Sequence, residues 1–400
     1  MTATLRSAVA PPDGVARLLA GSAGPPDFEH HLATFGPLVH PRDAAELATH
    51  ARLRGRGGAG FPTGRKLAAV AAQRGHAVVV ANGAEGEPAS KKDRSLLRVA
   101  PHLVLDGAAL AARAVGARDV LVAVARPAPE LEAAVHERAR RGVDGVNVEL
   151  RRVPDRFVAG EETALIRALE GREAKPTTKP PYPFERGYRD RPTLVQNVET
   201  LAHLALIARF GAEWFGRGTA VVTLSGAVTR PGVHEIPLGI TLGDALAACG
   251  GTTERVDGYL VGGYFGGWVA PAAANHLELT PDALGAGAIV ALPASTCVAA
   301  EVARVVDYLA GESAGQCGPC VHGLRAISDA LTSERRGDRR ADVERWAGMV
   351  DGRGACRHPD GTVRFVRSAL AVFAGEFAHH AKHRSCGRRC ARVLPIRNDA

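Results

Sequence analysis

Short β-branched runs alternate with helix-length Ala/Leu-rich segments through the first half of the chain. Val78-Val79-Val80 ends at Asn82, a long helix is expected over Leu96 to Val115, and Val120 to Val124 follows as a buried strand. A helix from Pro129 to Arg140 and a strand from Val146 to Leu150 continue the pattern. Uninterrupted apolar runs are what strands covered on both faces require. Strands that alternate with helices predict a parallel sheet, and so an α/β fold.

The rest of the chain divides around this unit. Residues 1–40 read as an N-terminal extension and 41–216 as the α/β domain. Within it a helix from Pro41 to Arg54 leads into the glycine-rich loop Gly55–Gly64, and a second helix follows from Arg65. Five prolines between Glu173 and Pro192 exclude regular helix or central strand there, leaving an ordered wrap or a linker. A helix from Asn197 to Phe210 closes the domain. Over 217–294 short β runs (Val221 to Leu224, Gly258 to Val261, Ala288 to Leu292) surround one short helix, Leu242 to Ala248. Over 295–382 helical periodicity returns, with helices expected at Val298 to Leu309, Val321 to Leu331, Ala341 to Met349 and Val363 to Phe377. Residues 383–400 form a basic tail containing cysteine.

Composition narrows the function classes. The net charge is +8, but no compact Lys/Arg run with interleaved aromatics occurs, so nucleic acid is not an expected partner. Much of the excess lies in the tail, at Lys382, Arg384, Arg388, Arg389, Arg392 and Arg397. No basic start leads into a long apolar core, because Pro11, Pro12, Asp13 and Gly14 interrupt, and no stretch reaches the roughly 20 apolar residues of a spanning helix. The expectation is a soluble, cytoplasmic chain with no direct membrane span. Seven cysteines are an odd number, and those at 317, 320, 356, 386 and 390 gather late in the chain. Reduced, clustered cysteines point to metal or redox chemistry rather than a disulfide framework.

Four segments carry candidate chemistry. Glycines at Gly55, Gly57, Gly58, Gly60 and Gly64 let a backbone approach a phosphate, and the N-terminus of the following helix attracts anions; about half of such loops are only turns. The turn Asn82-Gly83-Ala84-Glu85-Gly86-Glu87-Pro88 follows a strand end, where open α/β sheets bind ligands, although a solvated acidic turn is the plainer reading. Gly160-Glu161-Glu162-Thr163 opens a helix, where acidic residues also simply complement the helix dipole. Cys317-Gly318-Pro319-Cys320 with Cys356 beyond it fits an iron–sulfur cluster, a zinc site or a redox pair, and the spacing alone does not separate these.

These pieces occur together and in order. Arg54 to Gly64, the Asn-x-x-Glu-x-Glu-Pro turn ending in Lys92-Asp93-Arg94, Gly160 to Leu165, Lys179-Pro180-Pro181-Tyr182-Pro183, Asn197-Val198-Glu199-Thr200 and Glu312 to Cys320 resemble the NADH-binding flavoprotein subunit of respiratory complex I. The same family includes diaphorase subunits of some hydrogenases and formate dehydrogenases. The resemblance covers about residues 40 to 375. It implies a Rossmann-like FMN-binding domain, a small soluble-ligand-binding β-grasp module and a C-terminal helical iron–sulfur bundle. FMN would be lined by Gly55 to Gly64 (with Arg56), Lys66, Asn82, Gly160 and Asn197, with Glu161 also at the cofactor. NADH would meet Phe61, Glu87, Glu162, Lys179 and Tyr182. Glu85 and Glu162 are the carboxylates assigned to the catalytic step, and Cys317, Cys320 and Cys356 to the metal. The implied activity is NADH dehydrogenase chemistry: electrons pass from NADH through FMN to the cluster, then to a ferredoxin-like or other complex I-like subunit. A non-catalytic scaffold that kept the fold is the rival.

Departures from the family pattern concentrate at the cofactors. Ala314 stands where the family has a fourth cluster cysteine, so the cluster is a [4Fe–4S] with a substitute ligand, a [3Fe–4S] form, or lost. His322 and His358 lie near the ligands in sequence. Ala84 replaces an acidic residue, Phe157 a tyrosine and Gln196 an asparagine. Cys249 and Cys297 read as buried free thiols. The tail, with His379, His380, His383, Cys386 and Cys390, is balanced between a solvated basic segment and a source of ligands.

Overall fold

The computed structural model describes residues 5–7, 17–332 and 338–397. Parts of the expected N-terminal extension (1–4 and 8–16, with the interrupting Pro11 to Gly14) and of the tail (398–400) lie outside the described residues. Within them β1 (Leu5–Ser7) precedes the α/β unit, whose strands are β2 (Val78–Gly83), β3 (Asp119–Val124), β4 (Asn147–Arg152) and β5 (Thr193–Asn197). A second group follows: β6 (Thr219–Gly226), β7 (Gly232–Pro237), β8 (Val256–Val261), β9 (Gly267–Val269) and β10 (Ala288–Pro293).

The first sheet has the order β4-β3-β2-β5 and every pairing is parallel. Val79, Val80, Val120 and Val122 are fully buried, as strands sandwiched between layers must be. The long helix expected over Leu96 to Val115 is two helices, Lys92–Val99 and Pro101–Ala114, set at 98°. Pro101 is the cause: it has no N–H to continue the ladder, and it drives Ala100 to φ −138°, ψ 49°. No single helix among the described residues is long and apolar enough to cross a membrane.

The second sheet, β1-β7-β6-β10-β8-β9, is mixed: β6 pairs antiparallel with β7 and parallel with β10. The helix Leu242–Ala248 lies against it, capped by a reciprocal Thr241–Asp244 box. The N-terminal segment is built in rather than appended. β1 pairs with β7, and the buried carboxylate of Glu235 accepts the N–H groups of Leu18 and Leu19. The helical region departs from expectation at both ends of its core. Pro319–Leu324 is a π-helical turn before the helix Arg325–Thr332, and Val363 to Phe377 is split at Phe373 into helices His358–Val372 and Ala374–His383. The tail is not a solvated segment: Leu394 is fully buried and Cys390 donates to Glu301.

The helices Pro101–Ala114 and Val198–Phe210 touch where Gly107 faces Leu201; a Cβ on Gly107 would stand 1.8 Å from the Leu201 carbonyl oxygen. Helix propensity favours alanine there by up to ~1 kcal/mol, whereas forcing two packed backbones apart costs about 1–3 kcal/mol. Gly107→Ala is therefore expected to lower the denaturation midpoint in urea; an unchanged or raised midpoint would show that the two helices are not in backbone contact.

Candidate functional site

The chain enters the first sheet at β2, runs outward through β3 and β4, and returns to the other side of β2 as β5. The carboxyl ends of β2 and β5 therefore flank a topological switch point, the place where open α/β sheets leave a ligand crevice. Asn82 and Asn197 stand there in register as direct partners. Asn82 accepts from Ala84 N–H (3.1 Å) and donates to the Gly160 carbonyl (2.9 Å). Asn197 caps the next helix by accepting from Glu199 N–H (3.0 Å), and donates to Asp93 (2.7 Å).

The glycine-rich loop covers this crevice. It is closed at its base by an Arg54–Pro62 bridge and a Gly55 N–H to Phe61 carbonyl bond of 2.9 Å, and the helix Thr63–Ala71 follows. Gly58 has φ +102°, a conformation other residues rarely adopt, and a Cβ on Gly57 would lie 3.4 Å from the Asn197 side chain. The loop backbone is thus bare where it faces the switch point. Arg56 differs from expectation: its side chain is buried, donating to the Thr219 carbonyl (3.1 Å), so it points under the loop toward the second sheet.

Beneath the crevice lies a buried ionic network. The Lys92 ammonium donates to Asp93 (2.6 Å) and Glu199 (2.9 Å), and Glu199 also accepts from Val221 N–H of β6 (2.9 Å). Burial pushes Asp93 up to about 6 despite Lys92; for Glu199 burial is outweighed by Lys92 and His203, which hold it down at about 2. The sequence alone assigns no function to Lys92, Asp93 or Glu199 individually.

Beside the crevice, Lys66, Glu161, Glu162 and Lys179 converge. Lys179 lies 2.6 Å from Glu162 and 3.1 Å from Glu161, and Lys66 lies 3.2 Å from Glu162. Burial would raise Glu162, but the two ammonium groups hold it below its usual value. Glu161 also caps its helix through the N–H groups of Thr163 and Ala164, so its place in the first turn has a helix-capping role. Phe61 is left 49% exposed with Arg65 over its ring, and Tyr182, 45% exposed, stacks on Phe184. The two loop carboxylates are less free. Glu85 accepts from Ser90 (2.6 Å) and Asp93 N–H (3.1 Å), and buried Glu87 accepts from Ala89 N–H (3.0 Å) and Tyr264 N–H (2.7 Å).

Cys317, Cys320 and Cys356 come together although 36 positions separate Cys320 from Cys356. Burial pushes Cys320 up to about 12, with the Cys317 and Cys356 sulfurs adding to it, and Ser313 hydrogen-bonds the Cys320 thiol. Cys356 is raised by burial too, receives a backbone hydrogen bond from His358, and is close enough to feel Glu161. His358 itself is occupied by the Leu309 carbonyl (2.8 Å), and His322 is exposed. The donor set fits an iron–sulfur cluster: three soft thiols in one pocket, one receiving an N–H bond. Ala314 offers no fourth ligand. The bare loop over paired asparagines likewise fits a flavin phosphate and ring.

Sequence reasoning missed Arg397, which donates to the carbonyls of Gly86 (2.6 Å) and Glu85 (3.3 Å) from the far end of the chain; nothing local in the sequence signals that contact.

Comparison with known proteins gives the relatives of the chain as a whole. The chain matches the models of the Nuo51 FMN-binding domain over residues 48–206, the SLBB domain over 221–263 and the NADH-ubiquinone oxidoreductase-F iron–sulfur binding region over 300–380. It is 32% identical to the second F subunit of the NADH-quinone oxidoreductase of Rhizobium meliloti (strain 1021), covering 86% of this chain and 90% of that one. It is 31% identical to the NADP-reducing hydrogenase subunit HndC of Solidesulfovibrio fructosivorans, covering 86% and 77%. Among solved structures it superposes on a chain of an air-oxidised NAD+-reducing [NiFe]-hydrogenase with TM-score 0.83 and 29% identity, over 94% of this chain and 68% of that one.

Burial pushes Glu87 up to about 7 against the two backbone N–H bonds it accepts. A carboxyl raised in the folded state keeps its proton after the unfolded chain has lost it, so stability falls as pH rises from about 4.5 to about 7. Glu87→Gln removes that titration. Whatever the variant's offset, its stability relative to the parent is expected to improve by on the order of 1–3 kcal/mol between pH 5 and 7.5. Parallel denaturation curves at the two pH values would contradict the assignment.

Proposed function

The chain belongs to the family of NADH-quinone oxidoreductase F subunits, and from that premise we propose that it oxidises NADH at an FMN seated over Asn82 and Asn197 and passes the electrons through an iron–sulfur cluster on Cys317, Cys320 and Cys356 to a redox partner. One observation carries the reading. The Glu161–Glu162 turn pairs with Lys66 and Lys179, and Gln316, next to Cys317, donates to the carbonyl of Pro176 (2.8 Å), in the segment that leads to Lys179. The donor site and the thiol pocket are therefore neighbours. When bound, FMN supplies what no side chain here can: acceptance of a hydride and release of electrons one at a time.

The residues supply binding and orientation. The bare backbone of Gly57 and Gly58 admits the flavin, and Asn82 and Asn197, each fixed at both ends of its amide, present a rigid floor. Lys66 and Lys179 can exchange their carboxylate partners for phosphate, which frees Glu162 to accept ribose hydroxyls. Phe61 offers an exposed ring for the nicotinamide. Glu85 and Glu87 act by holding the β2 turn in place. Val321 stands exposed beside Cys320, where a redox subunit docking near the cluster would cover it.

The donor is predicted to be NADH. Once Lys66 and Lys179 turn to the donor's phosphates, the freed Glu162 faces the ribose and repels a 2′-phosphate, and Arg397 is engaged with Asp155. NADH should exceed NADPH in kcat/KM by about tenfold or more, or about 1.4 kcal/mol. Equal or better turnover with NADPH would rule this out.

The cluster is predicted to be labile at one corner. Cys317, Cys320 and Cys356 would hold the cluster by three thiolates, and Ala314 would leave its remaining iron without one. Anaerobically reconstituted protein should show a [3Fe–4S] electron paramagnetic resonance signal on mild oxidation, and Ala314→Cys should suppress it. If Cys320→Ser leaves the iron content untouched, the assignment of this pocket fails.

A further inference from the structure

A second group of sulfur and nitrogen donors lies apart from the thiol pocket. Cys297 is the last residue before the helix Val298–Gly311 and accepts from Ala300 N–H at 3.4 Å. Its sulfur is 3.3 Å from Nε2 of His380, and it hydrogen-bonds the Cys386 thiol. His380 and Glu376 stand one turn apart on the helix Ala374–His383, so both face Cys297. After that helix Arg384 adopts φ +63° and turns the chain back, which brings Cys386 into the group. One donor atom from each of Cys297, Glu376, His380 and Cys386 lies within 4.8 Å of every other, with Cys297 buried and the rest half-buried.

The chemistry of the set favours one ion. Zinc–sulfur and zinc–nitrogen bonds at a tetrahedral angle place the two ligand atoms roughly 3.6 Å apart, close to the Cys297–His380 separation. Two thiolates, an imidazole and a carboxylate oxygen are too soft for magnesium or calcium, and too mixed for a cluster that takes thiolates. Charge also balances. Two thiolates and one carboxylate against a divalent ion leave one negative charge, and Arg388 pairs with Glu376. Arg388 is itself fixed by Asp257 (2.7 Å) and the Ala294 carbonyl (2.8 Å), and Glu376 by Val298 N–H (2.9 Å), so the ligand carboxylate has the outer partners that metal sites require.

We infer that Cys297, His380 and Cys386, with Glu376 as the fourth donor, bind a structural zinc ion that fastens the C-terminal tail to the body of the protein. Binding converts two thiols to thiolates and releases their two protons; no electron moves. The tail beyond the site is placed to need such a clamp. The Arg389 carbonyl accepts from Cys297 N–H (2.9 Å), the Pro395 carbonyl accepts from the Tyr264 hydroxyl, and Arg397 ends on the Glu85–Gly86 backbone beside the crevice. The ion would thereby hold the segment up to Arg397 against the loop that follows β2. This inference does not depend on the flavin reading.

The test uses the full chain, expressed with both iron and zinc in the medium and analysed by elemental mass spectrometry. One zinc per chain is expected in addition to iron, with zinc-edge X-ray absorption showing two sulfur and two lighter neighbours. Cys386→Ser, in the half-exposed tail, and His380→Ala should each remove zinc and leave iron and flavin content unchanged, whereas Cys317→Ser should remove iron and leave zinc. Three results would overturn the inference: no zinc in the parent, with a Cys297–Cys386 disulfide seen by thiol counting; zinc retained in both tail variants; or iron in place of zinc at this site.

Discussion

The buried ammonium of Lys92 is the interaction on which the site rests. It sits between Asp93 and Glu199, and each of these carboxylates also makes a second contact. Asp93 holds Asn197 at the end of β5, and Glu199 accepts from the Val221 N–H of β6. One cation thus joins the floor of the crevice to the neighbouring sheet. A Cβ on Gly287 would meet the Lys92 stem at 2.6 Å, so the second sheet closes tightly over the same side chain. Removing the ammonium would leave Asp93 facing Glu199 with only the Arg56 guanidinium, 3.9 Å from Glu199, as counter-charge, and the cost of a broken buried pair, about 3–5 kcal/mol, is a large share of a domain's stability. Fixing Asn197 this firmly is what a preorganised binding floor requires.

Rigidity of that kind continues toward the thiol pocket. Phe157 N–H donates to Glu312 (2.8 Å), the Phe157 ring packs edge-on to Phe265, Tyr308 and His358, and Gln316 donates to the Pro176 carbonyl (2.8 Å). The helical domain is therefore clamped to the residues flanking Glu161 and Glu162 just ahead of Cys317 and, through His358, just beyond Cys356. Electron passage between a flavin and a cluster needs a short, fixed separation, and these contacts favour one.

Much of the fold was legible because its signals are local. The β2 and β3 runs announce themselves by unbroken valine-rich stretches, and the helix Leu242–Ala248 matches its expected limits because Thr241 and Asp244 cap it. Pro101 was an equally local signal, and the periodicity of alanine and leucine on both sides hid the 98° corner it makes. The convergence of Lys66, Glu162 and Lys179 was accessible only through family resemblance, since nothing in their spacing places them together. What stayed invisible depends on pairs far apart in sequence: Glu87 on Tyr264 N–H, Arg56 turned beneath its own loop, and Arg397 reaching Gly86 across 311 positions. The basic composition of the tail leaves a solvated segment and a source of ligands equally open, because it does not reveal that Arg388 and Arg397 pair with Glu376, Asp257 and Asp155.

The central claim is that the crevice and the thiol pocket form one electrical unit, joined at the Glu161–Glu162 turn. The most direct measurement is anaerobic reduction of the reconstituted protein by NADH, following flavin absorbance and low-temperature electron paramagnetic resonance on the same sample. Bleaching of the flavin accompanied by a change in the cluster signal, with the signal lost but bleaching retained in Cys320→Ser, is the predicted result. Flavin that bleaches fully while an intact cluster in the parent protein does not respond would contradict it.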